Sequence, residues 1–292
     1  MATTAMTIVI ESLSSCSAFR ECERLQEEAG KVSEGAILRV PLLVFLERSG
    51  GGLLGAYEVA EEGSRRLSGC LIDLVAHYEG TPGRLTVLEL AFGEGKDQIA
   101  RRLRLRERQE ALAQGVRLIA WPIDPLRGAE AHRAFSGLAA IAVSYERDLF
   151  GRQEDSAHPG LATDRLGVEW WIDSPRVAAV VDRGLPPHHA RVGLERMAVV
   201  TRTARTEGGM RRLVDFDPAP KEEAVLAEIP EDLDPMLLVA PDLARDWRLR
   251  TREVLEALFD RGYIASGFVR EAGRSFHLLE CVEREVFLRR PA

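Results

Sequence analysis

Hydrophobic and polar positions alternate in a way that predicts strands and amphipathic helices in turn. Short apolar runs bounded by glycine or polar turns are typical of strands, and apolar residues spaced three or four apart are typical of helices. Runs at residues 53–59 and 67–74, with a turn at Glu62-Gly63 between them, predict a hairpin. The other strands are expected at residues 8–10, 85–90, 116–121, 143–150, 168–172, 197–201, 224–229, 263–268 and 276–280, and the helices at residues 18–29 (after an N-cap at Ser17), 36–47, 102–112, 129–141 and 248–258. This mixture predicts an α+β fold with a mixed central sheet flanked by helices, rather than a doubly wound parallel sheet.

One helical segment occurs twice in the chain. Residues 102–112 and residues 248–258 agree at eight of eleven positions at an offset of 146. Each is followed by a glycine, Gly115 or Gly262, that is suited to a helix C-cap, and then by an apolar run. Because the flanking strands also match in order, we expect the second half to repeat a strand–helix–strand unit of the first. The competing explanation is convergence, since Arg, Glu, Ala and Leu are all good helix formers.

The composition indicates a folded protein with one large core or two moderate ones. Of the 292 residues, 46% are hydrophobic and 29% are charged, and the formal net charge is −7. This charge disfavours a duplex-binding surface, because nucleic-acid affinity comes mostly from Lys and Arg on phosphates. The longest apolar stretch, residues 40–46, is too short to span a bilayer. The four cysteines lack metal-type spacing and the N-terminus lacks a secretory pattern. We therefore expect a cytoplasmic protein with reduced thiols that binds neither nucleic acid nor membrane.

Two motifs and the order of the elements resemble a known family. Residues 121–126 read WPIDPL, and residues 160–171 read GLATDRLGVEWW. Together with the order strand, two helices, hairpin, strand, glycine-bearing loop, long helix, strand, helix, strand, they resemble the Gcn5-related N-acetyltransferase superfamily, and within it a two-part branch with both motifs. The resemblance covers nearly the whole chain. It implies an acyltransferase half over residues 1–155 and a second, pseudo-repeat half over residues 156–292 that completes the sheet or the substrate cleft.

The resemblance also implies acyl-CoA as co-substrate, with acetyl-CoA or succinyl-CoA as the donor, bound beside the strand that precedes the long helix. Its pyrophosphate would lie at the helix N-terminus, where unpaired N–H groups and the helix dipole favour an anion. The implied cofactor-binding residues are Leu90, Gly93, Gly95, Lys96, Gln98 and Ala100. The sequence departs from the family's phosphate loop, because only Ala100 fits the six signature positions 95–100 and Asp97 adds a negative charge there. Glu130 and Ala134 replace asparagines that the branch usually carries.

Acyl transfer to an amine needs a base for the amine, a polarised thioester carbonyl and often an acid for the leaving thiolate. Glu89, on the strand before the loop, is the candidate base, and its alternative role is that of an ordinary surface carboxylate. Tyr145 resembles the usual leaving-group acid in position, and its alternative role is packing. The predicted function is an N-acyltransferase for an amino acid or small amine. The alternative is a catalytically degenerate protein of the same fold that binds a small ligand or a protein partner, and a homo-oligomer stays open.

Further polar groups have both a functional and a structural explanation. Glu169 beside Trp170 and Trp171 would suit recognition of an amine by charge and cation–π contact, but core packing is favoured. Asp164 and Arg165 are expected to form a structural pair or a loop clamp. The His188-His189 pair has no third ligand at a useful spacing, so no metal is expected. Residues 230–235, PEDLDP, are too acidic for a second phosphate site.

Overall fold

The structure, a computed structural model, describes residues 7–29, 37–78, 80–93, 95–151, 160–187 and 197–289. The described residues form two compact units, one up to Trp121 and one from Pro122 onward. The boundary predicted at residue 155 falls in residues 152–159, outside the described residues, and so it stays a prediction. The His188-His189 pair also lies outside them.

The first unit is a mixed sheet with helices on both faces. Its strands are β1 (Thr7–Ser12), β2 (Leu53–Val59), β3 (Arg65–Tyr78), β4 (Thr81–Ala91) and β5 (Leu118–Ile123), and its helices are α1 (Cys16–Glu28), α2 (Val40–Arg48) and α3 (Lys96–Ala113). Strands β1 to β4 are antiparallel neighbours in that order, and β5 pairs parallel to β4. Phe19, Cys22 and Leu43 of the first two helices pack on one face, and Ile99 and Leu103 of α3 pack on the other.

The second unit contains a second sheet region and a separate hairpin. Its elements are α4 (Gly128–Ala131) with a π-helical turn at His132–Gly137, β6 (Ile141–Glu146), β7 (Arg165–Trp171), α5 (Pro175–Val177) with a π-helical turn at Ala178–Asp182, β8 (Ala198–Val199), β9 (Thr201–Arg205), β10 (Arg211–Phe216), β11 (Ala224–Ile229), α6 (Leu233–Val239), α7 (Pro241–Phe259), β12 (Tyr263–Glu271), β13 (Arg274–Cys281) and α8 (Arg284–Arg289). The strands lie in the order β7, β6, β12, β13, β11, β8, and only β11 and β8 are parallel. Strands β9 and β10 pair with each other as a hairpin.

The α+β prediction is confirmed, and the order of elements from β1 to β6 is the predicted one. Several boundaries were wrong for local reasons. Helix α1 begins at Cys16 because Ser15, not Ser17, accepts a hydrogen bond from the Ala18 N–H. The helix expected over residues 129–141 ends at Gly137, because Ala139 takes a left-handed conformation with φ of 56°. Residue 141 then begins a strand.

The two long arginine-rich helices correspond in structure, but not at the offset of 146. That offset matches Leu103, which is fully buried, with Leu249, which is 52% exposed. An offset of 144 instead superimposes buried positions on buried positions. The pairs are Ala100 and Ala244, Leu103 and Trp247, Arg104 and Arg248, Glu107 and Thr251, and Ala111 and Leu255. Sequence identity at an offset of 146 therefore does not identify the helix positions with the same burial. A shift of two residues along a helix rotates the side-chain direction about the helix axis by about 200°.

The strands around these helices also differ in arrangement. In the first unit β4 and β5, on either side of α3, are direct parallel neighbours. In the second unit β11 and β12, on either side of α7, are separated by β13, which pairs antiparallel with both. The strand–helix–strand order is confirmed in both halves, but the sheets that contain it are connected differently. Among the described helices, none is long and apolar enough to cross a membrane.

Helix α7 is held in the second unit by two buried acid–arginine contacts. Asp164 accepts hydrogen bonds from Nε and Nη2 of Arg252 at 2.9 and 2.7 Å. One turn earlier, Arg248 donates through Nη2 to Asp124 at 2.6 Å. The two arginines stand four residues apart, so they lie on one face of the helix. The side chains of Asp164 and Arg165 do not pair, since Arg165 donates to the backbone carbonyl of Asp164. Asp164 does clamp a loop, because its Oδ1 accepts from the backbone N–H of Asp148 at 2.9 Å.

Removing the Asp164 carboxylate is expected to destabilise the protein strongly. Asp164→Ala leaves Arg252 without its buried partner, and such a loss costs about 3–5 kcal/mol of unfolding free energy. The matched control is Asp215→Ala, which breaks the exposed Arg202–Asp215 pair and should cost at most about 1 kcal/mol. Urea unfolding followed by tryptophan fluorescence measures both. Equal losses in the two variants would contradict the assignment of Asp164 as the anchor of α7.

Candidate active site

The N-terminus of α3 is exposed and follows directly on β4. Gly93 and Gly95 on either side of residue 94 have φ of 82° and 80°, a region that glycine reaches without strain. Gly95 is the N-cap of α3, and no side chain of the described residues caps this helix. Lys96, Asp97 and Gln98 are exposed in the first turn. The helix thus presents backbone N–H groups to solvent at an end where its dipole favours an anion.

The predicted cofactor-binding residues divide between this exposed end and the interior. Gly93, Gly95, Lys96 and Gln98 lie at the exposed end, and Leu90 is half-buried on β4. Ala100 belongs to the buried face of α3, so its side chain cannot face a phosphate at the helix end. Asp97 opposes an anion there, as the sequence indicated.

Strands β4 and β5 pair over three positions only. The pairs run from Gly83↔Leu118 to Leu85↔Ala120, and β4 continues to Ala91 paired only with β3. One residue after the last pair, β4 carries a bulge: Thr86 opposes Asp73 and Leu88 opposes Ile72, so Val87 is the extra residue. A bulge bends its strand and increases the local twist. The two strands therefore diverge beyond Leu85, and no strand in the described part of the chain pairs with the outer edge of β4 there.

The bulge also brings Thr86 and Glu89 to the same face of the sheet. Residues three apart in a regular strand point to opposite faces, but the extra residue shifts the alternation by one. Both side chains contact Arg104 of α3: Nη1 donates to Thr86 Oγ1 at 2.7 Å and Nε donates to Glu89 Oε2 at 2.5 Å. On the other side the guanidinium lies 3.9 Å from the centre of the Trp121 ring. Arg104 thus bridges β4 and β5 where they diverge.

Glu107 completes this cluster from the next turn of α3. It accepts hydrogen bonds from Thr86 Oγ1 at 2.7 Å and from Arg104 Nη1 at 3.0 Å. Burial raises the pKa of Glu107 to about 7, against the opposing attraction of Arg104. The carboxylates around Arg104 therefore differ in environment: Glu107 is buried, whereas Glu89 has a side chain that is 20% exposed.

Tyr145, the predicted acid, lies on β6 in the second unit. Its hydroxyl donates to Asp164 Oδ2 at 2.6 Å. Burial and the Asp164 carboxylate both raise the pKa of Tyr145. The proton is thereby committed to an internal acceptor, which makes the phenol a weaker acid. Its role in protonating a leaving group stays a prediction.

Residues of the two sequence motifs make structural contacts. Asp124 of the WPIDPL motif accepts from the backbone N–H of Leu126 at 2.8 Å and from Arg248. In the second motif, Trp170 is fully buried and donates to the Leu138 carbonyl. Core packing, favoured for Trp170 from the sequence, is confirmed. Of the two replaced asparagine positions, Ala134 is buried in the π-helical turn after α4, and Glu130 accepts from the Asp124 N–H at 3.3 Å.

Glu169 contacts a cation from the chain itself. Its Oε2 accepts from the Trp171 indole at 2.7 Å and lies 3.1 Å from Nε of Arg284 on α8. The Arg284 guanidinium also lies 5.1 Å from the centre of the Trp171 ring. The carboxylate–tryptophan arrangement that suggested amine recognition is therefore filled by Arg284. Within the described residues, no group of three or more His, Cys, Asp or Glu side chains is placed to hold a metal ion.

The sequence interpretation missed Arg104 and Glu107 as site residues. Both lie in the repeated segment, where Arg and Glu were attributed to helix propensity. A usable signal was present: Glu107 stands four residues from both Leu103 and Ala111, and Arg104 stands four residues from Ala100, on the side of the helix that packs on the sheet. A charged pair on the buried face of a helix must meet a partner, because unpaired buried charge is costly.

Comparisons with known proteins found similarity at the level of solved structures. No protein-family model matches the chain, and no curated protein matches its sequence. An N-acetyltransferase from Staphylococcus aureus Mu50 is 14% identical and covers 57% of this chain and 98% of its own, with a TM-score of 0.42. An acetyltransferase from Salmonella typhimurium, solved with its cofactor acetyl-CoA, is 14% identical and covers 58% and 95%, with a TM-score of 0.43. The ribosomal-protein-S18-alanine N-acetyltransferase from Escherichia coli is 11% identical and covers 57% and 94%, with a TM-score of 0.43.

Stability should fall as the pH rises toward 7 because of Glu107. Its pKa in the folded protein is about 7, above the ordinary value of 4.5, so the folded state keeps a proton that the unfolded state has lost. The contribution is unfavourable above pH 4.5, grows up to about pH 7 and then levels off, to a total of about 3 kcal/mol. Glu107→Gln should flatten this slope in urea unfolding between pH 5 and pH 8. Glu110→Gln removes a charge from the same helix as the control, and an unchanged slope in Glu107→Gln would contradict the assignment.

Proposed function

We propose that this protein is an N-acyltransferase of the Gcn5-related fold that uses acyl-CoA. The observation that carries the proposal is the divergence of β4 from β5 beyond Leu85, next to the exposed N-terminus of α3. These features supply the two kinds of contact that an acyl-CoA needs. The helix end offers N–H donors for the pyrophosphate, and the outer edge of β4 offers backbone groups for the amides of the pantetheine arm.

The residues present fit the co-substrate at most positions. Gly93 and Gly95 allow a close approach of phosphate, since a Cβ on Gly95 would meet open space. Lys96 supplies a cation beside them. Asp97 is the one residue of the described loop that opposes an anion. We infer that it weakens the affinity for CoA without abolishing it, because a single exposed charge is screened by water and salt.

Glu89 is our candidate for the base. Its carboxylate lies at the divergence of the strands and is partly exposed, so it can reach an incoming ammonium group. In the proposed reaction it takes a proton from the amine, the neutral nitrogen attacks the thioester carbon, and the carbon–sulfur bond breaks. The thiolate leaves and takes up the second proton, which the nitrogen releases as the amide forms. Backbone N–H groups beside the bulge at Val87 stabilise the developing oxyanion. The acceptor is a small amine or an amino acid.

The second candidate is a protein of the same fold that binds a small ligand or a partner without catalysis. It is favoured by Asp97 in the first turn of α3 and by the Arg104 side chain that crosses the divergence of β4 and β5. A cytoplasmic location and self-association are also proposals, because the contacts described establish neither of them.

Calorimetric titration with free CoA and acetyl-CoA at low salt tests the proposal directly. Saturable binding at micromolar ligand is expected. An absence of heat at millimolar ligand would exclude the acyl-CoA function and leave the second candidate.

Asp97→Asn should tighten binding of CoA about three- to tenfold at low salt, because it removes a negative charge near the pyrophosphate. The gain should shrink in high salt. Asp242→Asn is the matched control, since Asp242 occupies the first turn of α7 and the substitution changes net charge equally. Equal increases in CoA affinity in the two variants would show that only net charge matters. That result would contradict the assignment of the loop before α3 as the pyrophosphate site.

Glu89→Gln should lower the rate of acyl transfer at least 100-fold, the size typical of a lost general base, while CoA affinity stays within a factor of about three. Glu11→Gln, on strand β1 of the same sheet, is the control for removing a strand carboxylate. Comparable rates in Glu89→Gln and the wild type would show that another group accepts the proton.

A further inference from the structure

Arg104 binds its carboxylates differently from the three arginines of this protein that use Nε and Nη2 together. Arg147, Arg252 and Arg274 each bind one carboxylate through both Nε and Nη2. This side of the guanidinium matches the two oxygens of a carboxylate. Arg104 binds Glu89 through Nε alone, and its Nη1 is used by Thr86 and Glu107. Its Nη2 donates no hydrogen bond within the described residues.

The position of Arg104 would bring its Nη2 donor close to the acyl group of the proposed co-substrate. Thr86 and Trp121, which contact Arg104, are the first residues of β4 and β5 beyond their last pair. Ala91 lies beside the exposed end of α3. Thr86 precedes it on β4 by five residues, which corresponds to about 17 Å along the strand. An extended pantetheine arm has a similar length. A co-substrate with its pyrophosphate at the end of α3 therefore brings its acyl group close to Arg104.

We propose that Arg104 selects acyl groups that end in a carboxylate, so that the preferred donor is a dicarboxylic acyl-CoA of the succinyl type. The inference rests on the proposed acyl-CoA function. The carboxylate of the acyl group binds the Nε and Nη2 side of Arg104 and replaces Glu89 there. Glu89 is the partner able to leave, because its side chain is 20% exposed while that of Glu107 is buried.

The charges around Arg104 are compatible with this exchange. Burial, together with the neighbouring Asp73 and Glu89 carboxylates, raises the pKa of Glu107 to about 7 against the attraction of Arg104. Near neutral pH a large fraction of Glu107 is therefore protonated, and Arg104 and Glu89 form the main ion pair. Exchange of one carboxylate for another keeps that pair intact. It also frees the Glu89 carboxylate to accept the proton of the amine, so binding of the correct acyl group would prepare the base.

Binding of succinyl-CoA and butyryl-CoA to the full chain tests the inference, because the two acyl groups differ only in a carboxylate replacing a methyl group. The wild type should bind succinyl-CoA at least about tenfold more tightly, the size expected for one charge-assisted hydrogen bond. Arg104→Lys should reduce the preference to within about threefold, because an ammonium lacks the paired donors. Glu89→Gln should increase it, since the competing carboxylate is gone. Circular dichroism and thermal melting confirm that each variant is folded.

The outcomes separate this inference from the function on which it rests. Wild-type protein that binds free CoA and butyryl-CoA as tightly as succinyl-CoA would overturn the role of Arg104 and leave the acyl-CoA function standing. Should Arg104→Lys fail to fold, a reduced preference for succinyl-CoA in Glu89→Gln would overturn the inference by itself. Protein that binds no CoA compound at millimolar concentration would refute both proposals.

Discussion

The burial of arginine on the sheet-facing sides of two helices constrains the rest of this structure. A guanidinium cannot lose its charge in a protein and is costly to bury alone, so each one needs an acceptor at a fixed place. Arg104 meets that need with Glu89, Glu107 and Thr86, and Arg248 meets it with Asp124. Glu89, Thr86 and Asp124 lie on strands or directly after them, which fixes how each helix is placed on its sheet. The motif residue Asp124 is therefore explained by the helix it holds.

Much of the fold could be predicted from the sequence, because local patterns determine it. The hairpin of β2 and β3, the strand at Ala224–Ile229 and the strand pattern around α3 follow from apolar alternation and turn residues. The extent of β4 and the end of the helix near residue 137 did not follow, since they depend on pairing partners and on one left-handed alanine. The hairpin of β9 and β10 was missed because its strands are rich in exposed arginine.

The candidate site could be predicted only in part. Gly93, Gly95 and Glu89 could be proposed from the sequence because glycines near a helix start and a carboxylate on a strand are local signals. Arg104 and Glu107 were not found, because their importance lies in contacts with β4 that only the fold brings together. The repeated segment was misleading in the same way: identical letters at an offset of 146 occupy different faces of their helices, whereas the structural correspondence at 144 pairs different letters. Burial, not identity, marks the equivalent positions.

The single extra residue in β4 has a consequence for how such a site can evolve. Thr86 and Glu89 share a face only because Val87 is inserted between the paired positions. Loss of one codon in that stretch would separate the two side chains while every contacting residue is retained in the gene. A comparison of related chains that scores substitutions alone would then report an intact site. The number of residues between Thr86 and Glu89 is therefore as important to the site as the identities of the two side chains, and a comparison of sequences has to consider both.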